Sequence, residues 1–270
     1  MKLISQSDEI KECISVGGRE LFRKETCRMM AGPCAVESRE QILLTAEKLA
    51  DMGIKIFRAG AFKPRTNPYA FQGSHSEGLK WLEEVRNTYG MKIITETSDI
   101  TNFDEVADVT DIIQIGAKAM YDHSVLEAAG KSKKPVLLKR HFGATVEEMF
   151  KMADYMLLQG NRQIMFCERG IRTFENSSRF TLDLCGAEVI KQKTRAPLIL
   201  DPSHAMGYSF GVPDIAMACT AFGCGGIMIE VHHNPEEALC DKEQALSLEQ
   251  FKILFENMKE IGKAIGKVVE

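Results

Sequence analysis

The sequence predicts an α/β fold, a single closed (β/α)8 TIM barrel with a short N-terminal extension. Three observations lead there. Eight short β-rich runs alternate with amphipathic helical stretches along 270 residues. The runs are apolar almost throughout, as in a parallel sheet buried on both faces. They also end repeatedly in charged or metal-ligating residues, at the end of each strand where such a barrel builds its active site. An open doubly wound sheet is the alternative. Barrels of this kind reach about 250 residues around one core, so the length permits one domain.

Residues 1–30 read as the extension, with a possible β-hairpin around "VGGREL", and residues 31–270 as the catalytic barrel. The strand runs are "MMAGPC", "IKIFRAG", "KIITET", "IIQIGA", "PVLLKR", "QIMFCER", "PLILDPS" and "GGIMIEV". The helical segments include "SREQILLTAEKLADMG", with Ser38 as N-cap and Gly53 just past the end, then "SEGLKWLEEVRNTYG" and "TVEEMFKMADYMLLQG". Each has apolar residues at helical spacing and a terminal glycine. "LSLEQFKILFENMKEIGKAIGKVV" reads as the last helix, and no linker or internal repeat divides the chain.

Composition narrows the class. The 44% apolar and 27% charged shares are those of a globular protein, and a net charge of −4 favours neither nucleic acid nor a membrane surface as partner. No apolar stretch approaches the ~20 residues of a membrane span. The start "MKLISQSDEIKECISV" is too charged for a signal peptide, which points to the cytoplasm. The eight cysteines lack paired metal-finger spacing and read mostly as reduced core residues.

Reading only the strand ends gives Cys34, then Arg58 followed by Lys63, Pro64, Arg65 and Thr66, then Glu96, then Gln114 with Lys118. Lys139 and Arg140, Glu168 and Arg169, Asp201 with His204, and Glu230 with His232 complete the circuit. So much charge aimed at one rim is costly unless ligands neutralise it. The cations exceed what one phosphate needs and imply multiply anionic substrates. Cys34, His204, Glu230 and Asp241 offer one soft, one borderline and two hard donors, a set suited to one divalent metal ion such as Mn, Fe, Co or Zn, provided the barrel gathers them. Taken singly, Cys34 also fits a buried thiol, His204 a hydrogen-bonded core histidine, and Asp241 a helix cap or surface acid. His232 and His233 fit either a second metal site or solvated rim histidines. His75, His123 and His141 read as surface or loop residues.

The motifs "AGPCAVES", "RAGAFKPRTNPYAFQG", "IIQIGA", "PVLLKR", "CERGIRTFE", "LDPSH" and "IEVHHNPEEALCD" resemble those of the 3-deoxy-D-arabino-heptulosonate 7-phosphate (DAHP) synthases. The match runs in order from about Ala31 to the C-terminus and is most similar to the short I-beta subgroup. The related 3-deoxy-D-manno-octulosonate 8-phosphate (KDO8P) synthases share "AGPC" but carry an Ala-Asn-Arg-Thr-Ser type of loop in place of "KPRTNP". The resemblance implies a cytoplasmic transferase of the shikimate pathway, which serves aromatic amino acid biosynthesis. Its reaction condenses phosphoenolpyruvate (PEP) with erythrose 4-phosphate and releases phosphate.

Position by position, the resemblance implies that Arg58, Lys63, Lys139 and Arg169 bind PEP beside Ala117 and Lys118. It implies that Arg65 and Thr66 receive the aldose phosphate, and that Cys34, His204, Glu230 and Asp241 hold the metal. Catalytic roles fall to Lys63 as proton donor, to Glu96 or a metal-bound water in managing the attacking water, and to Asp201 and His204 at the metal. Two departures stand out. "IGAK" replaces the common Ile-Gly-Ala-Arg, and "AMGYSFG" follows "DPSH" where relatives often have Ser-Gly-Gly-Arg-Arg. The resemblance further implies a homo-oligomer, dimer or tetramer, and a possible chorismate mutase partner. With about 30 residues before the barrel, insensitivity to phenylalanine, tyrosine and chorismate-derived products is expected. The alternatives are condensation of PEP with another aldose phosphate, such as arabinose 5-phosphate, and a non-catalytic barrel that binds a sugar phosphate or anchors a chorismate mutase.

Overall fold

A computed structural model describes residues 10–63, 67–97 and 99–270, apart from the side chain at position 19. The chain opens with an antiparallel hairpin, β1 (Ile14–Val16) and β2 (Arg19–Phe22). Its two-residue turn, Gly17 and Gly18, has φ of 57° and 78°, the left-handed pair that a tight hairpin turn requires. The hairpin expected around "VGGREL" is therefore present.

Eight parallel strands follow: β3 (Thr26–Gly32), β4 (Ile56–Arg58), β5 (Lys92–Thr97), β6 (Ile112–Ile115), β7 (Val136–Lys139), β8 (Ile164–Glu168), β9 (Leu198–Leu200) and β10 (Gly226–Glu230). They pair in chain order, and β10 returns to β3 with Gly226 opposite Arg28 and Glu230 opposite Gly32. This closes the barrel and rules out the open sheet. Around it run α1 (Arg39–Asp51), α2 (His75–Tyr89), α3 (Phe103–Val109), α4 (His123–Ser132), α5 (Val146–Leu158), α6 (Leu184–Lys193), α7 (Pro202–Met206), α8 (Val212–Phe222) and α9 (Leu248–Ala264). The Ser38 side chain accepts from the Gln41 N–H to cap α1, and Thr145 and Ser247 form reciprocal capping boxes at α5 and α9.

The strands lack alternation in the sequence because both faces are buried in different cores. Met30, Ile56, Ile94, Ile112, Leu137, Met165, Ile199 and Met228, one from each strand, fill the interior together with Ile14, Val16, Leu21 and Phe22 of the hairpin. Their neighbours, such as Met29, Phe57, Ile93, Ile113, Leu138 and Phe166, form the shell against the helices. The hairpin sits at the strands' starting ends: the Lys11 N–H donates to the Arg162 carbonyl, and Arg28 Nε donates to the Leu21 carbonyl at 2.9 Å.

The C-terminal segment departs from expectation. The last helix stops at Ala264, and Val268–Val269 form an eleventh strand, β11, parallel to the start of β3. Gly266, at φ 72°, turns the chain out of the helix, and the β-branched pair then takes an extended path. Among the described residues, no helix is long and apolar enough to cross a membrane.

Candidate active site

Where a strand ends decides which of two neighbouring charges faces inward, because successive side chains point to opposite faces. Lys139, the last residue of β7, places Nζ 2.6 Å from Asp201 Oδ2. Arg140, one residue on, instead bonds through Nη1 to Glu168 Oε2 and Asp183 Oδ2, both at 2.8 Å. Glu168 at the end of β8 is fully buried and also accepts from the Gly170 N–H at 2.7 Å. Arg169 follows it and lies over the Phe180 ring, 4.4 Å from the centroid.

Much of the rim charge is thus balanced by partners inside the protein, not left for ligands as sequence reasoning supposed. Arg58 bonds Glu230 Oε1 at 2.8 Å and the Pro33 carbonyl at 3.0 Å. Arg140 is committed to two carboxylates. The balance is incomplete at Arg169: Nε and Nη1 of this buried guanidinium have no hydrogen-bond partner among the described residues. A buried cation with unused donors is costly unless an anion meets it.

A cavity of about 340 Å³ opens beside it, lined by Lys63, Glu96, Ala117, Lys118, Lys139, Phe142, Arg169, Arg172, Arg179, Phe180, His204 and Asp241. Of the expected PEP-binding residues it gathers Lys63, Ala117, Lys118, Lys139 and Arg169. Arg58 is not among the lining residues. Arg65 and Thr66 lie outside the described residues. Arg172, Arg179, Phe142 and Phe180 line the cavity without having been singled out in the sequence. Arg172 and Arg179 come from the long loop between β8 and α6, which carries no periodic signal.

Lys63 is buried, with Nζ 3.2 Å from the Cys34 carbonyl. Burial opposes its charge, but Cys34, Cys240 and Glu96 outweigh that and raise its pKa, so it carries a proton at neutral pH. Glu96 accepts from Gln114 Nε2 at 2.8 Å. Its room comes from Gly116: a Cβ there would lie 2.2 Å from Glu96 Oε1.

The four expected metal ligands, together with Cys240, fall into two triads that share Asp241. Donor atoms of His204, Glu230 and Asp241 lie within 4.8 Å of one another, as do those of Cys34, Cys240 and Asp241. Cys34 Sγ donates to Asp241 Oδ2 at 3.2 Å, and His204 Nε2 lies 3.3 Å from Glu230 Oε1. The other imidazole nitrogen, Nδ1, lies 2.8 Å from Asp201 Oδ2, which places a carboxylate behind the ring although the pair is not aligned as a hydrogen bond. Burial lowers the pKa of His204 despite Asp201, keeping the imidazole neutral as a ligand must be. Burial works against ionising Asp201, Glu230 and Asp241, yet the cations beside them, Lys139, Arg58, Lys63 and Arg179, hold all three below the usual carboxylate range. Cys240, passed over in the sequence as a core thiol, belongs to this cluster.

His232 corrects the reading of solvated rim histidines. It is 2% exposed, stacks on His233 with centroids 4.6 Å apart, and places Nε2 3.4 Å from Glu37 Oε2. Glu37 in turn accepts from the Leu239 N–H at 2.9 Å, so this contact ties down the loop carrying Cys240 and Asp241. His75 and His123 are exposed and His141 is half-buried.

Fold and site together define a (β/α)8 barrel with a cationic pocket and a cluster of side chains able to hold a metal ion at the strands' C-terminal mouth. Comparison with known proteins makes this specific. The chain belongs to the DAHP synthetase I family of enzymes, whose model matches residues 20–266. It is 44% identical over 238 residues to a Thermotoga maritima protein named phospho-2-dehydro-3-deoxyheptonate aldolase, covering 88% of this chain and 70% of that one. The crystal structure of a T. maritima phospho-2-dehydro-3-deoxyheptonate aldolase (DAHP synthase) superposes with a TM-score of 0.95 at 40% identity, over 99% of this chain and 78% of that one. A Stenotrophomonas maltophilia 2-dehydro-3-deoxyphosphooctonate aldolase is 33% identical over 268 residues, covering 93% of this chain and 96% of that one.

Proposed function

We propose that the protein condenses PEP with erythrose 4-phosphate and water to give DAHP and inorganic phosphate, with a divalent metal at the Cys34, His204, Glu230 and Asp241 cluster. The observation that carries this reading is the buried, under-bonded Arg169 guanidinium in one cavity with Lys63, Lys118 and Lys139, directly beside His204 and Asp241. A compact trianion such as PEP supplies both a phosphate and a carboxylate for these cations.

The residues fit a metal. The His204 imidazole is neutral, backed by Asp201, and faces carboxylates. When bound, the ion supplies Lewis-acid stabilisation of charge developing on the aldehyde oxygen. Arg169, Lys139 and Lys118 hold PEP so that its C3 faces the aldehyde, lowering the cost of bringing two anions together. Lys63, protonated and buried, gives its proton to the oxygen that becomes the new hydroxyl. As the C3 bond forms, water adds at C2, and Glu96, oriented by Gln114, takes its proton. Collapse of that carbon to the ketone breaks its C–O bond and expels phosphate, which carries off the proton of the C2 hydroxyl. Arg58 acts through Glu230, holding the carboxylate it bonds.

The test is phosphate release from PEP with erythrose 4-phosphate and manganese, with and without chelator, in wild type and Arg169→Met. Loss of a charge-assisted contact to a buried anion costs about 2–5 kcal/mol, so kcat/KM falls by about 30-fold or more in the variant. No release with any metal overturns the reading. Faster turnover of arabinose 5-phosphate than of the four-carbon aldose overturns the substrate assignment and favours the octulosonate reaction named for the S. maltophilia relative.

A further inference from the structure

The donor cluster holds more sulfur than the proposed four-ligand set uses. Cys240 Sγ lies within 4.8 Å of both Cys34 Sγ and an Asp241 carboxylate oxygen. Cys34 and Cys240 are each 3% exposed. With Ala35 they form a small cluster flanked by Phe71, separate from both main cores of the barrel. Cys240 thus packs beside Cys34 at the donor cluster itself and not in either main core.

The backbone brings consecutive residues to the same side. In an extended chain, Cys240 and Asp241 would point in opposite directions. Asp241 instead adopts φ 50°, a left-handed conformation uncommon outside glycine. The turn is held by the Gln244 N–H donating to the Asp241 carbonyl at 3.1 Å and by Glu37 on the Leu239 N–H.

Charge is also accounted for. Two thiolates and two carboxylates around a divalent ion leave excess negative charge. Arg58 sits 2.8 Å from Glu230, Arg179 3.5 Å from Asp241, and Lys63 against the Cys34 carbonyl. These three cations offset it.

We propose that Cys240 is a second sulfur donor to the divalent ion held by Cys34, His204, Glu230 and Asp241, making this a two-thiolate centre that prefers thiophilic ions such as zinc over manganese. The inference rests on the metal reading above and extends it to a residue outside that ligand set. Two soft donors shift selectivity toward softer ions.

The experiment titrates reduced, chelator-treated protein with cobalt(II), reading thiolate-to-cobalt charge-transfer absorption per bound ion. X-ray absorption of the wild-type cobalt form counts the sulfurs directly and needs no variant. The expected count is two, with Cys240→Ser and Cys34→Ser each keeping about half of the wild-type charge-transfer intensity and Cys240→Ser moving the zinc-over-manganese preference toward manganese. A count of one, with full intensity in Cys240→Ser and none in Cys34→Ser, overturns the inference and leaves the four-ligand reading standing. If no cobalt binds at all, both fall.

Discussion

Arg140 and Lys139 are adjacent cations, and the barrel gives them different tasks; replacing Arg140 with methionine tests that division. Its guanidinium is buried and bonds Glu168, Asp183 and, through Nε at 2.9 Å, the Ala144 carbonyl. Removing it leaves the fully buried Glu168 without its cation, and breaking such a pair costs about 3–5 kcal/mol. At an unfolding entropy of about 2.1 cal/mol/K per residue, a chain of 270 residues has ΔS near 0.57 kcal/mol/K, so Tm falls by about 5–9 °C. Calorimetry measures that shift, and titration with PEP measures affinity, which stays within about twofold because Arg140 does not line the cavity. Arg140→Met/Glu168→Gln, which removes the stranded charge but keeps an acceptor for the Gly170 N–H, recovers at least half of the loss. An unchanged Tm together with lost PEP affinity would refute the assignment of Arg140 to structure.

Three further outcomes follow from the geometry. Stability of the metal-free protein falls on acidification in two stages. Below the ordinary histidine value of 6.5, the unfolded chain takes a proton that buried His204 resists; Asp201, Glu230 and Asp241 then lose their stabilising charge as pH falls below their unfolded values of 3.8 and 4.5 toward their depressed folded ones. Urea midpoints from pH 8 to 3 show both stages, and His204→Gln reduces the first, to which His141 and His233, also lowered by burial, contribute the rest; an unaltered slope between pH 6.5 and 5 in that variant contradicts the argument. Gly116→Ala pushes aside the flexible end of Glu96 and lowers kcat by about a hundredfold with little change in Tm, as steady-state assays and calorimetry would record. Lys118→Arg adds a planar fork at the cavity mouth and lowers KM for PEP by about two- to tenfold, the effect of one added hydrogen bond of roughly 0.5–1.5 kcal/mol.

The barrel was legible in the sequence because burial on both faces leaves a direct mark: eight apolar runs, each ending near a charge. What sequence order hides is direction. Lys139 and Arg140 read alike in "PVLLKR", yet one faces Asp201 and the other Glu168, and only the last hydrogen bond of β7 separates them. Cys240 looked like any cysteine in an apolar context because its contact with Cys34 depends on the left-handed turn at Asp241, and aspartate does not announce such a turn as glycine would. His232 was misread because its partner, Glu37, lies almost two hundred residues earlier. β11 is hidden in the sequence because the amphipathic pattern of α9 ends too close to it to mark a boundary.

The hairpin at the start of the chain has a consequence for traffic. Ile14, Val16, Leu21 and Phe22 pack among the interior side chains, so that among the described residues the hairpin caps the base of the cylinder while the cationic cavity lies at the opposite rim. Molecules that come and go therefore do so at the rim, and the hairpin end is left to packing alone.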